Sequence, residues 1–263
     1  VEVVVERSGR TMSAVSARLF QDARLLAVAL VSAGLSREAY EFDDAPIAAA
    51  SIAQVHRARL FSGEEVAVKV RRPGLEQVIG TDLEILRGLA SLLEENAPEL
   101  RAYAPAEIVE EFARAITLEI DLSHEASNMQ RFARNFAGDP QVHVPKLYEA
   151  YSRPAVLTME FVRGIKAKDL AGLDAAGIDR KKLAAGGVEF CLRQVFDHGF
   201  FHADPHPGNL FVLPGEVIAP IDMGMMGSLA PEMIDALLER LVGILLRDAD
   251  PAFWLTRLDA LRL

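Results

Sequence analysis

The stretch HADPHPGN (202–209) is followed, thirteen residues after its last position, by Asp222 in the run IDMG. This stretch permits two kinds of chemistry. The alternation of His202, Asp204 and His206 is typical of a transition-metal site, because imidazole and carboxylate groups both bind zinc or iron. The interval of five residues between Asp204 and the final asparagine, with a later aspartate, is typical of phosphoryl transfer.

Phosphoryl transfer requires a cation on the phosphates, carboxylates that hold Mg²⁺ and a group that orients the nucleophile. In protein kinases the pattern HRDLxxxN has the same interval, and a DFG aspartate follows it. By this comparison Asp204 is the predicted base, and Asn209 and Asp222 are the predicted Mg²⁺ ligands. His202 then has a structural position. The metal-cluster interpretation ranks second, because two prolines restrict the loop and no HxxxH helix or cysteine group accompanies it.

Upstream of this stretch, the sequence predicts a β-hairpin that carries a lysine. The runs IAQVHRARL (52–60) and EVAVKV (65–70) are rich in β-branched residues and are joined by a short turn with a glycine. Valines alternate with Ala67 and Lys69 in the second run, so Lys69 faces away from the valine side. The run resembles VAIK of protein kinases, whose lysine contacts phosphates. Lys69 is therefore the predicted phosphate-binding cation.

Two further strands are predicted over VPKLYEAY (144–151) and AVLTMEFV (155–162). In the nucleotide interpretation, Met159 lines the back of the pocket, and the backbone of Glu160, Phe161 and Val162 hydrogen-bonds adenine.

A carboxylate partner for Lys69 is expected in LEIDLSHEASNMQRF (118–132), which offers Glu119, Asp121 and Glu125. If one helix continues through this segment, the i to i+4 interval places Asp121 and Glu125 on the same face. Glu125 is the predicted partner. The plainer interpretation is that these acids form the solvated face of an amphipathic helix.

The order of patterns predicts an α+β, bilobal, protein-kinase-like fold. Residues 41–163 form a small β-rich N-lobe with inserted helices, and residues 164–263 form a mainly helical C-lobe. Residues 1–40 have no assignment beyond helical composition over 11–34. Helical spacing of apolar residues predicts the remaining helices, which cover 75–96, 105–136, 179–198 and 231–247.

Composition restricts the classes of partner. The 263 residues include 28 Lys and Arg against 38 Asp and Glu, a net charge of -10, which disfavours nucleic acid as a partner. The single cysteine, Cys191, excludes an internal disulfide, fits a reducing cytosol and is expected to be buried. The longest apolar stretch (25–34) is shorter than the ~20 residues that a membrane-spanning helix needs, so we expect at most peripheral membrane contact.

Together these residues resemble the UbiB/AarF family of atypical kinases, over about residues 46–246. The most specific signature is PIAAASIAQVHRA (46–58), because this family carries an alanine-rich loop where ordinary kinases have GxGxxG. The resemblance implies that this loop lies over the nucleotide phosphates. The implied loop residues are Ala48, Ala49, Ala50 and Ser51. The family's ExD motif corresponds to Glu119 and Asp121.

The resemblance implies an ATP- or ADP-binding, Mg²⁺-dependent kinase or ATPase that supports ubiquinone or related quinone biosynthesis. Its implied partners are quinone-precursor lipids or quinone-biosynthesis proteins, at a cytoplasmic location with at most peripheral contact with the inner membrane face. One departure is that no lysine precedes Lys69, so the family's KxGQ motif is missing. Two rivals stay open. One is a small-molecule phosphotransferase of the aminoglycoside or choline kinase type, which carries a similar HGDxHxGN loop, and the other is a non-catalytic nucleotide-sensing scaffold.

Overall fold

The computed structural model describes residues 3–9, 12–17, 40–42, 45–49 and 52–247. The strands are β1 (Val3–Gly9), β2 (Met12–Ala17), β3 (Tyr40–Phe42), β4 (Ala48–Ala49), β5 (Ala53–Leu60), β6 (Glu65–Arg71), β7 (Val156–Glu160), β8 (Ile165–Lys166), β9 (Phe200–His202), β10 (Leu210–Leu213), β11 (Val217–Pro220) and β12 (Met226–Ser228). The helices are α1 (Leu75–Asn96), α2 (Pro105–Ile120), α3 (Leu122–Asn135), α4 (Leu170–Ala175), α5 (Arg180–Phe196) and α6 (Pro231–Arg247).

The amino-terminal half is organised by an antiparallel sheet with the strand order β3-β5-β6-β7, and β4 pairs with β5. The predicted hairpin is confirmed as β5 and β6. Alternation along β6 buries Val66, Val68 and Val70 in one core with Val156 of β7. Lys69 lies on the opposite face of the sheet, as the alternation predicts.

A second core joins this sheet to the carboxy-terminal half. It brings Leu157 and Met159 of β7 together with Phe132 of α3, Phe190 of α5 and Met223. Fully buried aromatic side chains contribute the most apolar area per residue, so this cluster holds the two halves of the chain against each other. The short strands β8, β10 and β11 form one small sheet, and β9 pairs with β12.

Two segments differ from the secondary structure predicted for them. In the segment 1–40, for which helical composition was noted over 11–34, residues 3–9 and 12–17 form the β1–β2 hairpin and Tyr40 begins β3. Residues 18–39 lie outside the described residues. Valines at 3–5 are β-branched and favour a strand. The predicted strand at 144–151 is wrong. The segment makes one bridge, from Leu147 to Met159, because Pro145 has no N–H to donate to a longer ladder. It ends in a 3₁₀ turn over Glu149–Tyr151.

Cys191 is exposed on α5, so the predicted burial of its thiol is wrong. Its side of the helix faces away from the core, since Val188, three residues earlier on the same face, is exposed as well. Among the described residues, no helix combines the length and the apolar character needed to cross a bilayer.

Candidate functional site

The predicted polar residues converge on one cavity of about 260 Å³ between β6, α2, α3 and the stretch 202–225. Sequence positions more than 150 residues apart meet there. The cavity is lined by Ile52, Lys69, Glu119, Glu125, His202, Asp204, His206, Asn209, Asp222, Gly224 and Met225. Every residue that was predicted to act in catalysis or metal binding therefore lies on one surface.

Lys69 is held by two carboxylates. Its Nζ donates to Glu125 Oε2 at 2.7 Å and to Asp222 Oδ2 at 3.4 Å. The side chains of Lys69 and Glu125 are only 9% and 4% exposed, whereas that of Asp222 is 39% exposed. The second carboxylate oxygen of Glu125 accepts the Met223 N–H at 3.3 Å, which fixes α3 against the segment after β11.

Burial and charge act in opposite directions on the pKa values of this trio. Burial acts to lower the pKa of Lys69, but the carboxylates of Glu125 and Asp222 outweigh it and the pKa is raised. Burial raises the pKa of Glu125 despite the adjacent ammonium group. For Asp222, burial acts upwards, yet the charge of Lys69 leaves the pKa below its ordinary value. The cavity therefore holds an ammonium group and an ionised, accessible carboxylate.

His202 links the two predicted motifs. Its Nδ1 accepts the Asp204 N–H at 3.1 Å, and its Nε2–H donates to the Asp222 carbonyl oxygen at 2.5 Å. Gln194 of α5 accepts the His202 N–H at 2.8 Å from a fully buried position. Because both ring nitrogens are engaged, His202 is unsuited to binding a metal. Throughout the described ranges, no group of three His, Cys, Asp or Glu side chains has the arrangement of a metal site.

The donor groups of Asn209 and Asp222 suit Mg²⁺, which prefers amide and carboxylate oxygens. The Ile221 N–H donates to the Asn209 carbonyl oxygen at 3.0 Å, so the backbone of the loop lies beside the residue that precedes Asp222. The Gly224 N–H donates to Asp222 Oδ1 at 3.0 Å and orients that carboxylate. The residues present therefore fit a Mg²⁺ ion held at the mouth of the cavity.

The predicted adenine-binding segment does not line this cavity. Met159 is buried in the core, and Val162 is buried too. The Glu160 N–H donates to Lys146 O at 2.8 Å, and the Phe161 N–H donates to Glu65 O at 3.2 Å. These two N–H groups already have backbone partners, so they could donate to adenine only if those hydrogen bonds were broken. Adenine binding by this segment stays a prediction.

The alanine-rich loop is described only in part. Ala48 and Ala49 are exposed and pair with Val55 and Gln54 of β5. Ala50 and Ser51 lie outside the described residues. Ile52, the next residue, lines the cavity, so this end of the loop reaches the site.

The predicted continuous helix over 105–136 is wrong, because it is broken at Asp121. Asp121 has an extended backbone (φ -96°, ψ 101°), and its carboxylate accepts the Ser123 N–H at 2.8 Å as the N-cap of α3. Glu119 lines the cavity, whereas Asp121 lines a separate one with Arg71 and His124. The ExD motif thus divides between two surfaces.

Sequence reasoning missed three residues at the site: Ile52, Met225 and Gln194. The first two are apolar residues in loops and have no periodic signal. Gln194 had one usable signal, since a polar residue four positions after the apolar Phe190 in a helix lies on its buried face.

A family model described as "ABC1 atypical kinase-like domain" matches residues 20–253. The chain is 46% identical over 213 residues to the protein ACTIVITY OF BC1 COMPLEX KINASE 8, chloroplastic, of Arabidopsis thaliana, covering 80% of this chain and 28% of that one. It is 44% identical over 229 residues to a probable protein kinase UbiB of Pseudomonas fluorescens, covering 84% of this chain and 43% of that one.

Among solved structures, the complex of Rv3197 with erythromycin from Mycobacterium tuberculosis superposes with a TM-score of 0.66 and 28% identity. The match covers 78% of this chain and 52% of that chain. The α+β, kinase-like fold predicted from the sequence is confirmed. The chain spans less than half the length of the curated relatives described above.

Proposed function

This chain belongs to the family of ABC1 atypical kinase-like domains, as the resemblance to UbiB/AarF proteins indicated, and from that premise we propose that it binds ATP with Mg²⁺ and transfers or hydrolyses the γ-phosphate. An atypical kinase role is supported by the family and its relatives. The nucleotide, the metal ion and the acceptor are parts of the proposal.

The observation that carries the proposal is the ion-paired trio of Lys69, Glu125 and Asp222 on the same cavity as Asp204 and Asn209. Such an arrangement has the parts that phosphoryl transfer needs, which are charge neutralisation and positioning. Buried charges are retained only when paired, so a lysine at this depth requires its carboxylates.

Each side chain then has a role that follows from its position. Lys69, held by Glu125, presents its ammonium group to the phosphates. Asn209 and Asp222 would hold Mg²⁺, which neutralises the charge that develops on the transferred phosphoryl group. Asp204, which is half exposed and lines the same cavity, orients the nucleophile and accepts its proton.

The proposal also includes a biological setting. The name of the UbiB relatives supports a role in ubiquinone or related quinone biosynthesis, with quinone-precursor lipids or biosynthetic proteins as partners. We place the protein in the cytoplasm, with at most peripheral contact with the inner face of the membrane.

The test is metal-dependent ATP hydrolysis by Asp222→Asn. The substitution keeps the shape of the side chain but removes the negative charge, so we expect at least ~100-fold loss, comparable to loss of one group that stabilises the transition state. Asp174→Asn is the matched control, because Asp174 is an exposed, ion-paired aspartate on α4 that does not line the cavity. Metal-dependent hydrolysis at the wild-type rate in Asp222→Asn would contradict the proposal. Binding of Mg²⁺ and ADP without turnover in the wild type would support a nucleotide-sensing scaffold instead.

A further inference from the structure

The imidazole of His206 is fixed by its own loop at the edge of the cavity. The Gly208 N–H donates to His206 Nδ1 at 2.9 Å. The backbone N–H of His206 donates to Asp204 O at 2.9 Å, and its carbonyl oxygen accepts the Asn209 N–H at 3.0 Å. The ring therefore has a defined place between the predicted base and the predicted metal ligand.

The hydrogen bond from Gly208 also determines which ring nitrogen carries the proton. Because Nδ1 accepts, the neutral imidazole has its proton on Nε2. This Nε2 lies 3.7 Å from Asp204 Oδ2, and the two side chains are 53% and 50% exposed. Lys69 is already paired with Glu125 and Asp222. Among the described residues, His206 is thus the side chain with an N–H group or a positive charge that approaches the carboxylate of Asp204.

Gly208 is needed for the space it leaves and not for an unusual backbone. A Cβ at this position would lie 2.5 Å from His206 Cε1 and 2.8 Å from Nδ1, closer than real Cβ contacts allow. Gly208 is not among the residues with positive φ, so alanine is sterically acceptable to the backbone. Gly208→Ala consequently displaces the imidazole while the histidine itself remains.

We propose that His206 is a positioning residue for the phosphoryl transfer proposed above, on which this inference rests: its Nε2–H holds the carboxylate of Asp204 towards the nucleophile. A hydrogen bond of ordinary length requires the two groups to approach by about 0.8 Å, and such contacts often tighten only in the substrate complex. A half-exposed carboxylate can make that movement by rotating its side chain.

The proposed phosphoryl transfer requires no gain or loss of a proton by His206. The O–H proton of the nucleophile passes to the carboxylate of Asp204, the new O–P bond forms, and the bond from the γ-phosphorus to its bridging oxygen breaks as ADP leaves. His206 keeps its Nε2 proton throughout and acts through Asp204 only.

A purely structural role for His206 predicts a different outcome. If the ring only stabilises the loop through its hydrogen bond with Gly208, its loss should lower the melting temperature of the protein and also weaken nucleotide binding. A positioning role affects the reacting geometry, so it should lower kcat and leave KM for ATP unchanged.

The experiment compares His206→Ala, His206→Asn, His206→Gln and Gly208→Ala in Mg²⁺-dependent ATP hydrolysis, with binding of ADP and Mg²⁺ measured separately. Glutamine places an amide N–H at the distance of Nε2, whereas asparagine reaches only the place of Nδ1. We expect about 10- to 100-fold lower kcat in His206→Ala, His206→Asn and Gly208→Ala, and a kcat closer to wild type in His206→Gln, with ADP affinity unchanged in all four. His124→Gln is the control, because His124 is exposed on the first turn of α3 and faces the separate cavity beside Arg71.

The inference is overturned if His206→Ala and Gly208→Ala keep wild-type kcat, if glutamine is no better than asparagine, or if the loss lies in KM and melting temperature. An active wild type with insensitive His206 variants overturns this inference alone. A folded wild type without turnover overturns the proposed function, and this inference with it.

Discussion

Lys69 shows how a single charge is kept below the surface. Removing an ammonium group from water is costly, and the cost is offset here by two carboxylates at 2.7 and 3.4 Å. Glu125 contributes most to this balance, because it is itself buried and shares its second oxygen with the Met223 N–H. A pair of this kind specifies which groups meet, since either partner left alone would be an uncompensated buried charge.

Lys69→Met should therefore destabilise the fold strongly. We expect the free energy of unfolding to fall by about 3–5 kcal/mol, the usual cost of removing one partner of a buried ion pair. Adding Glu125→Gln should recover part of the loss, because the isolated charge is then gone. Urea denaturation measures both values. Arg114→Ala, which removes an exposed pair with Glu111, should cause no measurable change.

The stability of Lys69→Met should also depend on pH differently from that of the wild type. Burial raises the pKa of Glu125, and loss of Lys69 removes the cation that opposes this rise. The folded variant then binds a proton more tightly than the unfolded chain, so its stability increases as the pH falls towards the ordinary pKa of glutamate. The stability difference from wild type should narrow as the pH falls. A constant difference would show that Glu125 does not take up the proton.

At the scale of elements, the break between α2 and α3 organises the site. The helix ends at Ile120, whose carbonyl oxygen accepts from Arg71 at 2.8 Å, and the Leu122 N–H donates to Pro154 O at 2.9 Å. The change of direction at Asp121 lets two helices approach the cavity, one with Glu119 and the next with Glu125. In a continuous helix the side chains of Glu119 and Glu125, which are six positions apart in the chain, would point about 120° away from each other around the axis.

Asp121→Ala tests whether this residue acts as a cap. Loss of the hydrogen bond to the Ser123 N–H should lower the free energy of unfolding by about 1 kcal/mol, and Asp121→Asn should cost much less. ATP hydrolysis per folded molecule should remain in both variants. Asp179→Ala is the matched control, since Asp179 caps α5 in the same way. Loss of hydrolysis in Asp121→Asn at unchanged stability would support the direct role that the ExD resemblance implies.

At the scale of the whole molecule, the cavity is assembled from both halves of the chain. Strand β6 supplies the cation, α3 its partner, and the stretch after α5 supplies the acids and the amide. A ligand that contacts all of these should stabilise the native state as a unit, because it binds only the assembled form.

ADP with Mg²⁺ should therefore raise the melting temperature. At about 100 times Kd the native state gains about 2.7 kcal/mol, which for a chain of this size corresponds to roughly 5–10 °C. Replacing Mg²⁺ by EDTA should reduce the shift, and so should Asp222→Asn. Differential scanning fluorimetry measures all three. An equal shift with and without Mg²⁺ would argue against Asn209 and Asp222 as metal ligands.

Much of this arrangement is determined by local sequence. Alternation along 65–70 determined that Lys69 opposes the valines, and helical periodicity located α1, α5 and α6 to within a few residues. The order of Lys69, Asp204, Asn209 and Asp222 determined which types of group could meet. These features follow from the sequence because burial of one face imposes a short period on neighbouring residues.

Tertiary structure alone decided the remaining pairings. It set Lys69 against the predicted partner Glu125 and against neither Glu119 nor Asp121, placed Gln194 behind His202, and left Met159 in the core outside the cavity. Each of these contacts joins residues far apart in the chain or depends on where a helix changes direction. Periodicity reports which face of an element is buried, but it carries no information on which distant side chain that face will meet.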